Sequence, residues 1–176
     1  MSTLQPTLEN ELVHLRPLQS EDFPALYEVA KDPKIWELHQ NPDRYTLPVF
    51  KMFFEEAMAS NGAFAILEKK SGLIIGSSRF KLHPIANDAV EIGWTFLGRA
   101  YWGGIYNTSF KSLMINHAFQ HFDYILFNVD QHNYRSQKAV KKLGGKHIEK
   151  DGVLGHLHTE KPTGLTFVIE KTARLK

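Results

Sequence analysis

The sequence predicts a mixed α/β domain with a single sheet, on three observations. Short apolar or alternating runs of strand length occur near both ends of the chain, and three follow one another in its middle. Between them lie stretches whose apolar residues recur at helical spacing. The 176 residues, 43% hydrophobic and 12% aromatic, make about one domain by length. Such a chain has a core that buries about 70% of the surface its unfolded form exposes.

Taken in order, residues 1–9 read as a loose leader ahead of one domain spanning 1–176. Glu11 to Leu18 alternates apolar and polar residues, as a half-buried strand does, and Pro17 ends it. Ser20 is placed to cap a helix carrying Phe23, Leu26, Tyr27 and Ala30 at helical spacing, stopped by Asp32-Pro33. A short helical piece around Ile35 to His39 follows. Thr46 is placed to cap a helix from about Leu47 to Ala59 whose buried stripe is Phe50, Phe53, Phe54, Ala57 and Met58.

Three strands come next, at Gly62–Lys69, Leu73–Leu82 and Ala89–Leu97, with Lys70-Ser71-Gly72 as the first hairpin turn and His83–Asp88 as the second loop. An amphipathic helix runs from Ile105 to about His121, and Tyr124–Val129 is a continuous apolar strand. Asn133–Leu143 is a helix stopped by Gly144-Gly145, and Lys146–Lys150 and Gly164–Lys171 close the chain as strands. The expected order is β-α-α-β-β-β-α-β-α-β-β.

Composition excludes several functions. Without cysteine there is no disulfide framework, no thiol nucleophile and no Cys-ligated metal centre. No apolar run reaches the roughly 20 residues that span a bilayer, and Met1 to Asn10 lacks the apolar segment of a secretory signal. A cytoplasmic protein without membrane partners is expected. The formal charge of +2 is too small to argue for nucleic acid. The motifs G-x-x-x-x-G-K-[ST] and G-x-G-x-x-G are both absent, which excludes the P-loop and dinucleotide-binding families.

The chemistry concentrates in two segments. In the first, the strand Val90-Glu91-Ile92-Gly93-Trp94-Thr95-Phe96-Leu97 leads to Trp102-Gly103-Gly104 and the helix opening Ile105-Tyr106-Asn107-Thr108. A glycine turn feeding a helix start presents several backbone N–H groups in one place, and the helix dipole adds partial positive charge there. A phosphate is the natural guest, though a plain turn before a helix has the same composition. In the second, Asn133 and Ser136 sit one turn apart at the start of the helix NYRSQKAVKKLGG. They read either as a hydrogen-bonding pair beside the first segment or as an N-cap with a solvated serine.

With HLRPL and SEDFPALYEVAKD at the front, EIGWTFLGRAYWGGIYNTSF in the centre and NYRSQKAVKKLGG behind, nearly the whole chain resembles the GNAT superfamily of N-acetyltransferases. The likeness is greatest to the branch of ribosomal-protein N-terminal acetyltransferases. The resemblance implies a mostly antiparallel sheet flanked by helices, acetyl-CoA as cosubstrate, an amine or protein N-terminus as acceptor, and no metal. It admits a homodimer. It also implies that Trp94, Thr95 and Phe96 lend backbone to the pantetheine arm and that the turn of Gly103, Gly104, Ile105, Tyr106, Asn107 and Thr108 wraps the pyrophosphate. Asn133 would meet the pantetheine, and Ser136 the diphosphate or adenine end. Arg135, Lys138, Lys141 and Lys142 are placed to meet the 3′-phosphate or to form a solvated face.

Three positions depart from the family pattern. Ile105 stands where the family's phosphate loop has its first glycine, and Asn107 where it ends in a small residue; the loop keeps its backbone amides if Ile105 turns into the core. Val140 stands where many members carry a tyrosine that protonates the departing thiolate.

Acetyl transfer needs a neutral amine, hence a base near the thioester. Glu91 is the first candidate: with period two it shares a face with Gly93 and Thr95, opposite Val90, Ile92, Trp94 and Phe96. His132, with Asp130, is the second, at the C-terminal end of the apolar strand. A strand N–H near Thr95 would bind the developing oxyanion. Direct attack in a ternary complex needs no covalent intermediate. His117 and His121, spaced i, i+4, and His156-x-His158 lack an acidic third ligand nearby and carry no metal prediction.

Two other readings remain. One is a catalytically silent GNAT-like module, suggested by Ile105, Asn107 and Val140. The other is nucleic-acid binding through Arg135–Lys142 and the basic tail Lys171–Lys176, against which the near-neutral charge argues.

Overall fold

A computed structural model describes residues 4–159 and 163–171; most of the basic tail lies outside the described residues. One eight-stranded sheet organises the chain, in the order β1-β2-β3-β4-β5-β6-β8-β7. The strands are β1 (Leu8–Glu9), β2 (Val13–Pro17), β3 (Ala63–Glu68), β4 (Ile74–Leu82), β5 (Ala89–Leu97), β6 (Tyr124–Asp130), β7 (Lys146–Ile148) and β8 (Gly164–Glu170). The helices are α1 (Phe23–Ala30), α2 (Pro33–Trp36), α3 (Leu47–Ala59), α4 (Ile105–Ala118) and α5 (Tyr134–Lys142). Every neighbouring pair of strands is antiparallel except β5 and β6.

The expected elements are found, with shorter ends and some additions. Leu8–Glu9, read as leader, pairs with β2 as an edge strand, and the Gln5 amide donates to Ala63 O at 2.9 Å. The strand from Glu11 shortens because Asn10 Oδ1 accepts from the amides of Leu12 and Val13, which turns the chain there. Thr46 holds the N-cap position of α3, but its hydroxyl donates backwards to Asp43 O at 2.9 Å.

Two hydrophobic layers cover the sheet. On one face α4 packs Phe110, Met114, Ile115 and Ala118 against Val13, Phe64, Phe80, Val90, Ile92 and Ile125. On the other, α1, α2 and α3 bring Leu26, Trp36, Phe50, Phe53 and Phe54 onto Ala65 and Phe96. Phe50 lies at the centre of this second layer. It is fully buried, with ring centroids of Tyr27, Phe23, Phe53 and Phe96 at 5.5 to 6.1 Å. The entry to α1 is fixed by Arg16, whose guanidinium bonds both oxygens of buried Asp22 at 2.7 Å.

Among the described residues no helix is long and apolar enough to cross a membrane. Phe50→Ala is expected to destabilise the fold by about 3–5 kcal/mol, since the rigid aromatic surroundings cannot collapse into the cavity. Denaturant unfolding monitored by tryptophan fluorescence checks this.

Candidate active site

The site begins where β5 and β6 part. Their parallel ladder covers only Ala89–Glu91 against Tyr124–Leu126, and beyond it the two strands splay. On the other side of β5 the register jumps from Gly93 opposite Arg79 to Phe96 opposite Ser77. Two residues of β5, Trp94 and Thr95, thus stand against Ser78 alone, forming a β-bulge. Trp94 takes φ +52°, an unusual backbone for a bulky residue and one that clusters at functional sites. Its ring is held by the Arg79 guanidinium at 4.8 Å and the Lys81 ammonium at 5.6 Å.

The bulge overturns the simple alternation along β5. Arg79 and Lys81 pair directly with Gly93 and Glu91, so these four residues share one face, and Trp94 and Phe96 pack into the aromatic layer on that same side. Thr95 turns to the opposite face with Val90 and Ile92, toward α4. The extra residue shifts the period by one, so Glu91 and Thr95 lie on opposite sides of the sheet.

The splay opens a cleft of about 550 Å³. It is lined by Glu91, Trp94, Thr95 and Phe96 from β5, by Gly103, Gly104, Asn107 and Thr108 from the turn into α4, and by Asn133 and Ser136 from α5. The glycine turn is pinned to the end of β5 by Trp102, whose indole N–H donates to Leu97 O at 2.9 Å and whose ring carries the Arg135 guanidinium at 3.9 Å. Gly103 has φ +67°, which glycine adopts without strain. Gly104 is the N-cap of α4 and offers no side chain, so the first-turn amides have no side-chain cap. By contrast Asn133 Oδ1 accepts from Ser136 N at 3.0 Å and caps α5.

Three expected residues stand apart. Ile105 does not turn into the core; it is 61% exposed, since at the first helical position its side chain points away from the sheet. The turn is left clear all the same. Tyr106 directs its hydroxyl to Glu68 Oε1 at 2.7 Å, away from the cleft. His132 is exposed on the turn after β6, beside the Gln131 amide, and does not line the cleft; a hydrogen bond from its own N–H to Asp130 Oδ1 at 2.8 Å holds the turn in that direction. Of the late basic residues, Arg135, Lys138 and Lys142 line the cleft, whereas Lys141 lies over the Phe167 ring.

Gln40, Arg44 and Lys111 of the cleft escaped the sequence reading. At the mouth, burial together with the nearby Arg44 and Arg135 guanidiniums pushes His39 down to about 4, so it is neutral at physiological pH. Arg44 itself rests over the Phe53 ring at 4.7 Å. Gln40 bonds Thr163, whose hydroxyl donates to Asp130 at 2.6 Å, and this ties the α2 side to the end of β6. Deeper in, Lys111 of α4 is 5% exposed and lines the cleft. Its ammonium donates to Thr95 Oγ1 at 2.6 Å and Ser78 Oγ at 3.2 Å, and burial pushes it down to about 7. Its position three residues before Met114, within the apolar stripe of α4, is the signal that could have found it.

A split sheet whose cleft leads from an uncapped helix start to a buried glutamate suits a long anionic cosubstrate carrying a reactive group at its far end. The family model described as an acetyltransferase (GNAT) domain matches residues 13–146. The chain belongs to the GNAT acetyltransferases. It is therefore an enzyme that transfers the acetyl group of acetyl-CoA to an amine.

Solved GNAT-type structures share the fold at low identity. An acetyltransferase from Agrobacterium tumefaciens is 22% identical at a TM-score of 0.73, covering 94% of this chain and 95% of that one. An acetyltransferase (GNAT family) from Bacillus anthracis is 15% identical at 0.76, covering 95% and 99%. Mycobacterium smegmatis RimJ in complex with CoA-disulfide is 17% identical at 0.70, covering 98% and 89%. No curated protein sequence matches the chain. Among the described residues no three histidines, aspartates or glutamates gather as metal ligands.

The geometry of α5 yields a stability expectation. Asn133→Ala removes the acceptor of Ser136 N–H and should destabilise by about 1 kcal/mol, or about 2–4 °C in melting temperature. Asn133→Asp keeps the acceptor and should melt with the wild type. Calorimetric melting of the three proteins decides.

Proposed function

We propose that acetyl transfer here proceeds by direct attack of the amine on the thioester within a ternary complex, with Glu91 as the proton acceptor. The observation that carries this reading is the position of Glu91: buried, lining the cleft, and the last β5 residue paired with β6 before the strands part. A carboxylate there meets whatever enters the split from the side of α1, α2 and α3. It takes the proton that the ammonium form of the acceptor must lose, directly or through one water.

The other roles follow the layout of the cleft. The turn from Gly103 to Thr108, with its uncapped first-turn amides, receives the pyrophosphate at the positive end of the α4 dipole. The backbone of Trp94, Thr95 and Phe96 receives the pantetheine arm, and a backbone N–H at the bulge supports the oxyanion. Asn133 and Ser136 lie across the cleft, with Lys138 and Lys142 toward the phosphate end. His132 has no role in this reading. The acceptor enters past Ile35, His39, Gln40 and Arg44, and both small amines and peptide N-termini belong in the acceptor screen.

Calorimetric titration with acetyl-CoA, with ATP as control, should show micromolar binding that weakens with Gly103→Val. Failure to bind would overturn the cofactor assignment. In initial-rate kinetics with an acceptor from the screen, lines that intersect in double-reciprocal plots are expected, and parallel lines with an isolable acetyl-enzyme would overturn direct attack. Glu91→Gln should lower kcat by about 10²–10⁴-fold. Acetyl-CoA binding should be little changed in that variant.

A further inference from the structure

We propose that Lys111 is the acid of the reaction: its ammonium faces the CoA sulfur within the split and delivers the proton that turns the departing thiolate into a thiol. The inference rests on the assignment of this cleft to acetyl-CoA.

Lys111 is the one residue of α4 described as buried that carries a charge; the others are Phe110, Met114, Ile115 and Ala118. Burying an ammonium costs several kcal/mol unless a counter-charge compensates it. Here the partners are neutral. Thr95 and Ser78 accept hydrogen bonds, and the rings of Phe110 and Phe127 lie 5.3 and 5.6 Å from Nζ. The charged residues of the same strands, Arg79, Lys81 and Glu91, project from the opposite face, and among the described residues Lys111 has no carboxylate partner. Burial alone accounts for the lowering to about 7, which makes the proton exchangeable at neutral pH.

Location gives this proton a use. Lys111 lies on the helix whose first turn forms the phosphate cradle, six residues or about 9 Å along the axis from its start. A chain running from the cradle into the split passes beside it. The bulge puts Thr95 and Lys111 on the α4 face and Glu91 on the acceptor face, so proton acceptor and proton donor are kept apart by the sheet and do not neutralise each other. Val140, across the cleft on α5, offers no proton. The ammonium has three N–H groups, of which two are given to hydroxyls, leaving one for the sulfur.

The step balances. Once Glu91 has passed the ammonium's proton to water, the neutral amine nitrogen bonds to the acetyl carbonyl carbon and loses a second proton to Glu91. The C–S bond breaks with its electron pair on sulfur, and sulfur takes the proton of Lys111. Water then reprotonates Lys111 and relieves Glu91, and the amide and CoA leave.

The experiment needs no acceptor. Bound CoA is titrated by the ultraviolet absorbance of its thiolate in the wild type, Lys111→Met and Lys111→Arg, with each fold checked by melting. The wild type should ionise the bound thiol about 1–3 pH units below free CoA, Lys111→Met should abolish that lowering, and Lys111→Arg should keep it. Because methionine suits an apolar stripe, Lys111→Met should melt no lower than the wild type; a purely structural lysine would show the reverse. In turnover with an amine from the screen, kcat of Lys111→Met should fall about 100-fold or more with little change in acetyl-CoA KM. The wild-type decline in rate as pH rises through about 7, where the acid loses its proton, should disappear. A bound thiol that titrates alike in wild type and Lys111→Met would overturn the role of Lys111 and leave the cleft assignment standing. Failure of the wild type to bind CoA would overturn both.

Discussion

The separation of β5 from β6 after three residue pairs is the constraint on which the site depends. A parallel pair buried on both faces would ordinarily continue to the strand ends. Here the bulge at Trp94 and Thr95 bends β5 away, and β6 leaves with β8, to which it is paired along its whole length. The opening therefore belongs to the backbone and exists before any ligand arrives. The helix that begins at Gly104 and the helix that begins after Asn133 both point their N-termini at it, one uncapped and the other capped. That contrast distinguishes the proposed anion cradle from a helix end already satisfied by its own chain.

Stability and function are distributed unequally over the two faces of the sheet. Phe23, Phe50, Phe53, Phe54 and Phe96 form an interlocked set on one side. This rigid layer bears the strain of Trp94 and holds the mouth residues Arg44 and His39 in place. Arg79 is the exception within it: buried, with Nε lacking any hydrogen-bond partner and the guanidinium spread over Phe53 and Trp94. Its burial pushes it down to about 10, still charged at neutral pH. Its attraction for the indole face stabilises the ring that the bulge turns outward. Among the described residues, those of α4 that are buried on the opposite face are apolar apart from Lys111, which bonds the hydroxyls of Ser78 and Thr95. Each layer thus holds one buried cation against the bulge, and the large apolar areas around them offset the cost.

Most elements were legible because their signals are local. The stripe from Phe50 to Met58 predicts α3, and strand-length runs rich in apolar residues predict β5 and β6. What stayed hidden depends on neighbours distant in sequence. The two-residue strand at Leu8 has no pattern of its own and exists only because β2 presents an edge. The alternation rule placed Glu91 and Thr95 on one face because a bulge leaves no composition mark; Trp94 at positive φ is a residue the rule would never choose. His132, drawn in by its place at a strand end, turns outward because Asp130 captures its backbone. Lys111 was passed over as one polar residue in an amphipathic helix. A lysine inside the apolar stripe of a helix packed on a sheet contradicts the local pattern, and the fold keeps it in spite of the desolvation it entails. Such a contradiction, where no carboxylate compensates the charge, is a signal of chemistry that sequence periodicity contains but a list of family motifs does not.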